Sequence, residues 1–441
     1  MHRLASIGLA LASAALLGLS LVRPWMEVPI GLREQADGSY RCLTAKPRSA
    51  IPFRLTCGGF AVVMGVGHAW HRRTSDRKAM LAGAFLASQL FFPYVVMALE
   101  PSLSARANWL HIQHENLTWL GGDLPTNLEF SRTGWNDYIY MVDTPRQINV
   151  VRMPSSGLAA FQWGRLMTWF EALGYSNRFC QFAKLGWGAA IFGTGLLVIA
   201  ECLPGGRLNR RRATRGAAAA ATTFAIGAVV AMTPILLASL ELDRCREAVA
   251  RGHYDEAERR LRLAARDLPA LREDTFFVAQ LGLIDFRRDR VGTPEGRLFR
   301  ATLLERQGRY AQAVDEYLAL VDSSPPGGAV HREALRAILR AGLHALNGQR
   351  NDLACEWLEQ VLRREPCNLK ANYALQFAYL RTWRREELER LIRQIKATYD
   401  VFQMPTKAIV LSSSYENAML AAFREGDTEA AVEFERKARK P

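Results

Sequence analysis

His111, His114 and Glu115 are spaced as metal ligands can be. On a helix, residues three and four positions apart share a face, so both imidazoles and the carboxylate point at the same volume, where a divalent ion would sit. The order is not the His-Glu-x-x-His arrangement of zinc hydrolases, and no further strong ligand follows nearby. These weak candidates therefore read as histidines on a wet helical face, with no resident metal and no cofactor. The chain also lacks a Cys-x-x-Cys pair, a Gly-rich phosphate loop, a Gly-x-Ser-x-Gly elbow and a clustered carboxylate pair. The expectation is a protein that is not an enzyme.

The elements that would position any such site fall into two unlike halves of a 441-residue chain. Residues 1–240 carry five apolar stretches, at 4–22, 55–70, 80–99, 185–202 and 216–240. Each approaches the ~20 residues that cross a hydrocarbon core, with residues 55–70 the shortest. Residues 4–22 follow a short basic start and read as an uncleaved signal anchor, with a cleaved signal peptide the alternative. Small residues four apart (Gly8 and Ala12, Ala61 and Gly65, Gly83 and Ala87, Ala189 and Gly193) suit close helix packing, and Pro93 and Pro234 predict kinks. Ionisable groups at membrane depth are few: Gln89 is the polar residue of the third span, while His68 and Glu201 fall near span ends, where snorkelling explains them.

Charge fixes the expected orientation. Residues 241–441 hold 34 Lys and Arg against 31 Asp and Glu, a net of +3, which leaves +11 of the total +14 to residues 1–240. That excess lies largely in short loops, so it is a topology signal rather than a nucleic-acid footprint. Arg72, Arg73, Arg77 and Lys78 lie between the second and third spans, and Arg210, Arg211 and Arg212 between the fourth and fifth. With both loops inside, the N-terminus is cytoplasmic and residues 23–54, 100–183 and 241–441 are outside, in the periplasm of a bacterial inner membrane. Six cysteines (Cys42, Cys57, Cys180, Cys245, Cys355, Cys367) then fall outside or at the outer boundary, where disulfides form. Pairing among the first four is open, and Cys355 with Cys367 could bridge two antiparallel helices.

The external loop, 100–183, is long enough for structure of its own: helical spacing over 104–120, a hairpin around Asp143-Thr144-Pro145-Arg146, and an amphipathic helix over 157–175 suited to the membrane surface.

Beyond Leu240 the sequence repeats. Gly252, Tyr254, Ala257, Leu261, Ala264 and Pro269 recur as Gly308, Tyr310, Ala313, Tyr317, Leu320 and Pro325 at identical offsets. A third copy, Gly348, Ala354, Leu358, Val361 and Pro366, has its later members displaced by one, and a fourth holds Gly426, Thr428, Ala431 and Ala438. Gly serves a tight turn between helices, Ala a close contact, and Pro a helix stop. This pattern resembles the second half of the tetratricopeptide repeat, a helix-turn-helix unit of about 34 residues. The first-helix half is poorer: Ala301 and Leu304 fit, and the usual Trp is missing. Irregular Gly spacing implies further units between the markers, with Asn372 to Ala397 a candidate.

The expected fold is mainly α: a polytopic transmembrane helix bundle, then an α-solenoid of tetratricopeptide-like helix pairs, with a small mixed external loop. The domains are 1–99 (spans one to three), 100–183 (external loop), 184–240 (spans four and five) and 241–441 (repeats). The resemblance implies protein partners. The expected function is a non-catalytic scaffold or accessory subunit of an envelope complex, in contact with the lipid bilayer and not with nucleic acid. The alternative is a subunit of an export or polymer-assembly machine whose spans line a path, and a third reading is a metal- or redox-dependent membrane enzyme built around His111.

Overall fold

The computed structural model describes residues 2–71, 76–100, 102–103, 106–107, 182–203, 208–273, 275–401 and 407–439. These are mainly helical and divide into two compact units, one within Met1–Val28, Ala45–Ser104 and Leu173–Leu236, the other within Pro29–Thr44, Ala105–Ala172 and Leu237–Pro441. His111, His114, Glu115, Arg72, Arg73 and the whole hairpin and amphipathic helix expected in the external loop lie outside the described residues.

The first unit contains α1 (His2–Val22), α2 (Ala50–His71), α3 (Asp76–Gln89), α4 (Phe92–Leu99), α5 (Leu185–Cys202) and the start of α6 (Arg210–Ala250). Among the described residues two helices are long and apolar enough to cross a membrane, Leu185–Cys202 and Arg210–Val230; Gly8–Val22 and Ala50–Met64 are shorter apolar helices. α1 packs on α5 and α2, and α3 on α5. Contacts are close where side chains are small. A Cβ on Gly193 would lie 2.9 Å from the Leu17 side chain, and the Ser13 hydroxyl donates to the Gly193 carbonyl at 2.7 Å. A Cβ on Gly83 would lie 2.3 Å from the Gly216 carbonyl oxygen. Gly8, by contrast, faces open space.

The apolar stretch 80–99 is not one kinked span. It is broken at Leu90 and Phe91 into α3 and α4, with Pro93 in the first turn of α4. Proline has no N–H to donate to the carbonyl four residues back, which is that of Gln89. That carbonyl instead accepts the indole N–H of Trp187 at 3.1 Å. The Gln89 side chain is fully buried, and its amide N–H donates to Thr194 Oγ1 at 2.7 Å, tying α3 to α5. At one end of the unit Trp25 is buried edge-on against Phe53 and Phe92, with its indole N–H given to the Ser20 carbonyl. Glu201 differs from expectation too: it is buried rather than snorkelling to an interface.

The second unit begins with a feature absent from the sequence reading, a two-stranded sheet of β1 (Val28–Glu34) and β2 (Tyr40–Ala45). Asp37-Gly38 makes its turn. Gly38 has a φ of 73°, and Asp37 accepts the Ser39 N–H at 3.0 Å. Asp-Gly between extended runs was the signal for it.

The helices of this unit are the end of α6, then α7 (Tyr254–Asp267), α8 (Thr275–Arg287), α9 (Pro294–Arg306), α10 (Tyr310–Ser323), α11 (Ala329–Asn347), α12 (Asn351–Arg364), α13 (Leu369–Thr382), α14 (Arg385–Val401), α15 (Lys407–Arg424) and α16 (Thr428–Arg439). α6 runs 41 residues without a break, through Pro234, from the apolar stretch into the first repeat helix. From α8 onward each helix packs on its neighbour, and α9, α11, α13 and α15 also touch in series. That second set of contacts makes the pairs a stack of the tetratricopeptide-like kind rather than a string of separate hairpins.

The turns explain the broken sequence pattern. Gly252, Gly308 and Gly426 have φ between 76° and 79°, the left-handed conformation that closes a helix. The same place is held by Gln349 (φ 57°) and Trp383 (φ 60°). At all five, the N–H of the following residue (His253, Arg309, Arg350, Arg384, Asp427) donates to the carbonyl five residues back at 2.8–3.0 Å. The third repeat is therefore anchored on Gln349, not Gly348. From Gln349, Ala354, Leu358, Val361 and Pro366 fall at the offsets 5, 9, 12 and 17 that hold from Gly252. Trp383 anchors the unit inside Asn372 to Ala397, and follows Gln349 by 34 residues, one tetratricopeptide period. Ala257, Ala313, Ala354, Leu388 and Ala431 occupy the offset-five position and are all buried.

Candidate docking surface

The last helix pairs place a group of exposed large side chains on one region of the array. Trp383, in the left-handed turn between α13 and α14, is 40% exposed, and the Arg424 guanidinium from the end of α15 lies over its ring, 3.3 Å from the centroid. Leu420 and Phe423 precede Arg424 by four and one residues on α15 and are 51% and 68% exposed; Val432 on α16 is 65% exposed. Leu420 shares a helix face with both Phe423 and Arg424 by the three-and-four rule, so a strip runs from Trp383 through Arg424 and Leu420 to Phe423. A cation over an exposed indole contributes about 0.5–1 kcal/mol, which biases both groups towards the stacked arrangement. Trp and Arg are the residue types that most often dominate protein interfaces.

Charge flanks the strip. Arg385 opens α14 and is bound by Asp427 at 2.8 Å, Glu389 at 2.9 Å and Glu425 at 3.1 Å. Its hydrogen bonds to Asp427 and then to Glu389 and Glu425 raise the guanidinium above its ordinary range. Asp427 is held below the usual carboxylate range by the Ala430 N–H and by Arg385. This ion cluster ties the start of α14 to the turn between α15 and α16.

The other Arg-rich stretches are consumed inside the fold. Arg288 pairs with Asp255 at 2.5 Å and with Glu258, while Arg290 reaches Glu258 at 2.8 Å and Asp285 at 2.6 Å. Burial would push Glu258 up, but hydrogen bonds from Arg290 and Arg262 outweigh it and hold the carboxyl below its ordinary value. Arg381 donates to the Leu346 carbonyl at 3.0 Å. An open groove of about 600 Å³ between α9 and α10 is lined by Arg297, Arg300 and Arg309, yet Glu316 takes Arg300 at 2.6 Å and Arg297 at 3.6 Å.

Arg210, Arg211, Arg212, Arg77 and Lys78 belong to the first unit, where Arg211, Arg212 and Arg215 all converge on Asp76, at 3.7 Å and 3.5 Å for the first two. Gly252, Gly308 and Gly348 lie in the turns, and Tyr254 and Tyr310 open α7 and α10 half-buried. Tyr310 stacks on His344 at 4.2 Å. Among the described residues no group of three or more His, Cys, Asp or Glu forms a metal cage.

Cys355 and Cys367 do not pair. Both are thiols, as are Cys42, Cys202 and Cys245; Cys355 faces Thr382 at 3.8 Å. Cys57 and Cys180 lie outside the described side chains. Sequence reasoning missed Trp383, Arg424, Leu420 and Phe423 because the approach of Arg424 to Trp383 joins residues 41 positions apart through helix packing, which no local pattern marks.

The class defined by this geometry is a mainly helical, tetratricopeptide-like repeat protein with an exposed aromatic and arginine surface. No family model matches the chain, and no curated protein matches it. Among solved structures, MamA, residues 41 to the end, from Desulfovibrio magneticus RS-1 aligns with 46% of this chain and 93% of its own at 22% identity and a TM-score of 0.22.

Proposed function

We propose that the chain is a non-catalytic membrane scaffold whose repeat array recruits partner proteins through the Trp383, Arg424, Leu420 and Phe423 strip. The observation that carries the reading is the continuity of α6, which passes from a charge-free stretch into the first repeat helix within one 41-residue element. A helix of that length measures about 60 Å, twice a hydrocarbon core, so its apolar part suffices to cross a bilayer while its charged part stays in water. The convergence of Arg211, Arg212 and Arg215 on Asp76 supports placing both basic segments on one side, which is the cytoplasmic side under the positive-inside rule. The repeats then lie in the periplasm of a bacterial inner membrane.

Two measurements test this. A periplasm-active reporter fused after Lys440 should be active and a cytoplasm-only reporter silent; the reverse pattern would overturn the topology. Cross-linking in mild detergent should recover stoichiometric partners with the natural chain and at least tenfold less with Trp383→Ala, Phe423→Ala. Equal recovery by both would remove the strip from the reading.

A further inference from the structure

Cys42 and Cys367 stand 325 positions apart in sequence and meet in the second unit. Cys42 is on β2, half-buried; Cys367 is fully buried in the short connection between α12 and α13. The Cys42 thiol donates to the Leu43 carbonyl at 3.6 Å and lies close enough to Cys367 to push its thiol up. An independent tie holds the same two segments together. Arg106 donates to the Pro29 carbonyl on β1 at 2.6 Å and pairs with Glu365 at 3.9 Å, two residues before Cys367. Glu365 is fixed in turn by the Asn368 amide at 2.7 Å, and Asn368 caps α13 through the Ala371 N–H at 2.9 Å. The β1–β2 hairpin is thus clipped to the α12–α13 connection at two points, one ionic and one made of two thiols.

We propose that Cys42 and Cys367 form a reversible disulfide that fastens the hairpin to the repeat array. The oxidant is a disulfide, either small or carried by a protein of the thiol–disulfide exchange class. The Cys42 thiolate attacks one sulfur of that disulfide, forming a mixed disulfide and releasing the first thiol. Cys367 sulfur then attacks Cys42 sulfur, the mixed bond breaks, and the second thiol leaves. Two protons pass from the cysteines to the released thiols, and two electrons from the pair to the oxidant. Cys42 is the residue that meets the oxidant from solution because it is partly exposed. Cys367 is shielded: the Cys42 thiol beside it and then burial push its thiol well above the ordinary range, so it reacts only with its neighbour. A bond needs the sulfurs at about 2 Å, and a two-stranded hairpin on the surface can shift the remaining distance.

The test uses the full chain in detergent, reduced and then treated with excess oxidised glutathione. Tryptic mapping should recover residues 42–48 joined to 365–370, lighter by two hydrogens and split by dithiothreitol. Cys245→Ala and Cys355→Ala should leave that product intact, and Cys42→Ser should abolish it. Hairpin amides should exchange at least tenfold more slowly in the oxidised chain. Recovery of Cys42 only as a glutathione adduct, or joined to Cys57 or Cys180, would overturn the proposal, and so would unchanged hairpin exchange. The mapping needs no variant, so a variant that misfolds does not spoil it.

Discussion

Glu305 and Arg340 lock two successive repeats. Glu305 lies in the last turn of α9 and Arg340 midway along α11, with side chains 9% and 7% exposed. The guanidinium forks onto both carboxylate oxygens at 2.8 and 2.9 Å, and the Tyr317 hydroxyl of α10 donates to Oε2 at 2.8 Å. Removing one member leaves the other charge buried without its main partner, which costs about 3–5 kcal/mol. Arg340→Met and Glu305→Met should each destabilise by that amount. The double variant should recover most of it, losing only about 1–2 kcal/mol for the Tyr317 hydroxyl left with Thr302 Oγ1, at 3.3 Å, in place of the carboxylate. The two single losses together would then exceed the double by at least about 4 kcal/mol, a coupling above the roughly 0.5–3 kcal/mol that contacting residues usually show. Repeat arrays open locally, so the assay is hydrogen exchange of α9 and α11 amides in the full chain: at least about a hundredfold faster in either single variant and within about thirtyfold of the natural chain in the double. Additive effects, with a coupling below about 0.5 kcal/mol, would refute the claim that this pair holds the second and third repeats in register.

Two further outcomes follow from particular residues. Gln349 is exposed and left-handed, a conformation costing an L-residue roughly 1–2 kcal/mol that glycine avoids at about 0.5–1 kcal/mol of chain entropy. Gln349→Gly should therefore stabilise by about 0.5–1 kcal/mol, read as slower exchange in α11 and α12, whereas Gly308→Ala should destabilise by a similar amount. Lys370 is 6% exposed, and burial lowers its ammonium from 10.5 to about 8. Between those values the unfolded chain binds more protons, so stability should rise with pH from about 8 to 10.5, by on the order of 3 kcal/mol over 2.5 units. The penalty is fully present below pH 8 and gone above 10.5. Lys370→Met should abolish this slope in urea titrations and be more stable at pH 7; a slope that survives would show another group to be responsible.

The repeats were legible wherever glycine supplied the left-handed turn, because Gly252, Gly308 and Gly426 carry both the conformation and its sequence mark. Where Gln349 and Trp383 adopt it, the mark vanishes and the spacing looks irregular although the backbone is regular. The apolar stretches were equally legible, but not the break at Leu90 and Phe91, since Pro93 announces a lost donor without saying whether a neighbour will satisfy the freed carbonyl; Trp187, almost a hundred residues on, does so. The β1–β2 hairpin carried its Asp37-Gly38 signal, overlooked among spans and loops. Approaches such as Cys42 to Cys367 and Arg424 to Trp383 are set by how pairs stack, and no local pattern encodes them.

Trp383 bears on both fold and function for one physical reason. The turn between α13 and α14 needs a residue that tolerates φ near 60°, which glycine adopts without a Cβ clash and tryptophan does not. Nor does burial account for the ring, which leaves 40% of its surface in water. What the ring does have is Arg424 across its face, with Leu420 and Phe423 continuing the strip along α15. An aromatic residue placed against its backbone preference, exposed, and stacked under a cation is biased towards that arrangement in the free protein already. A partner binding there does not have to supply that ordering, and in interfaces such preorganisation separates a strong contact from a merely large one.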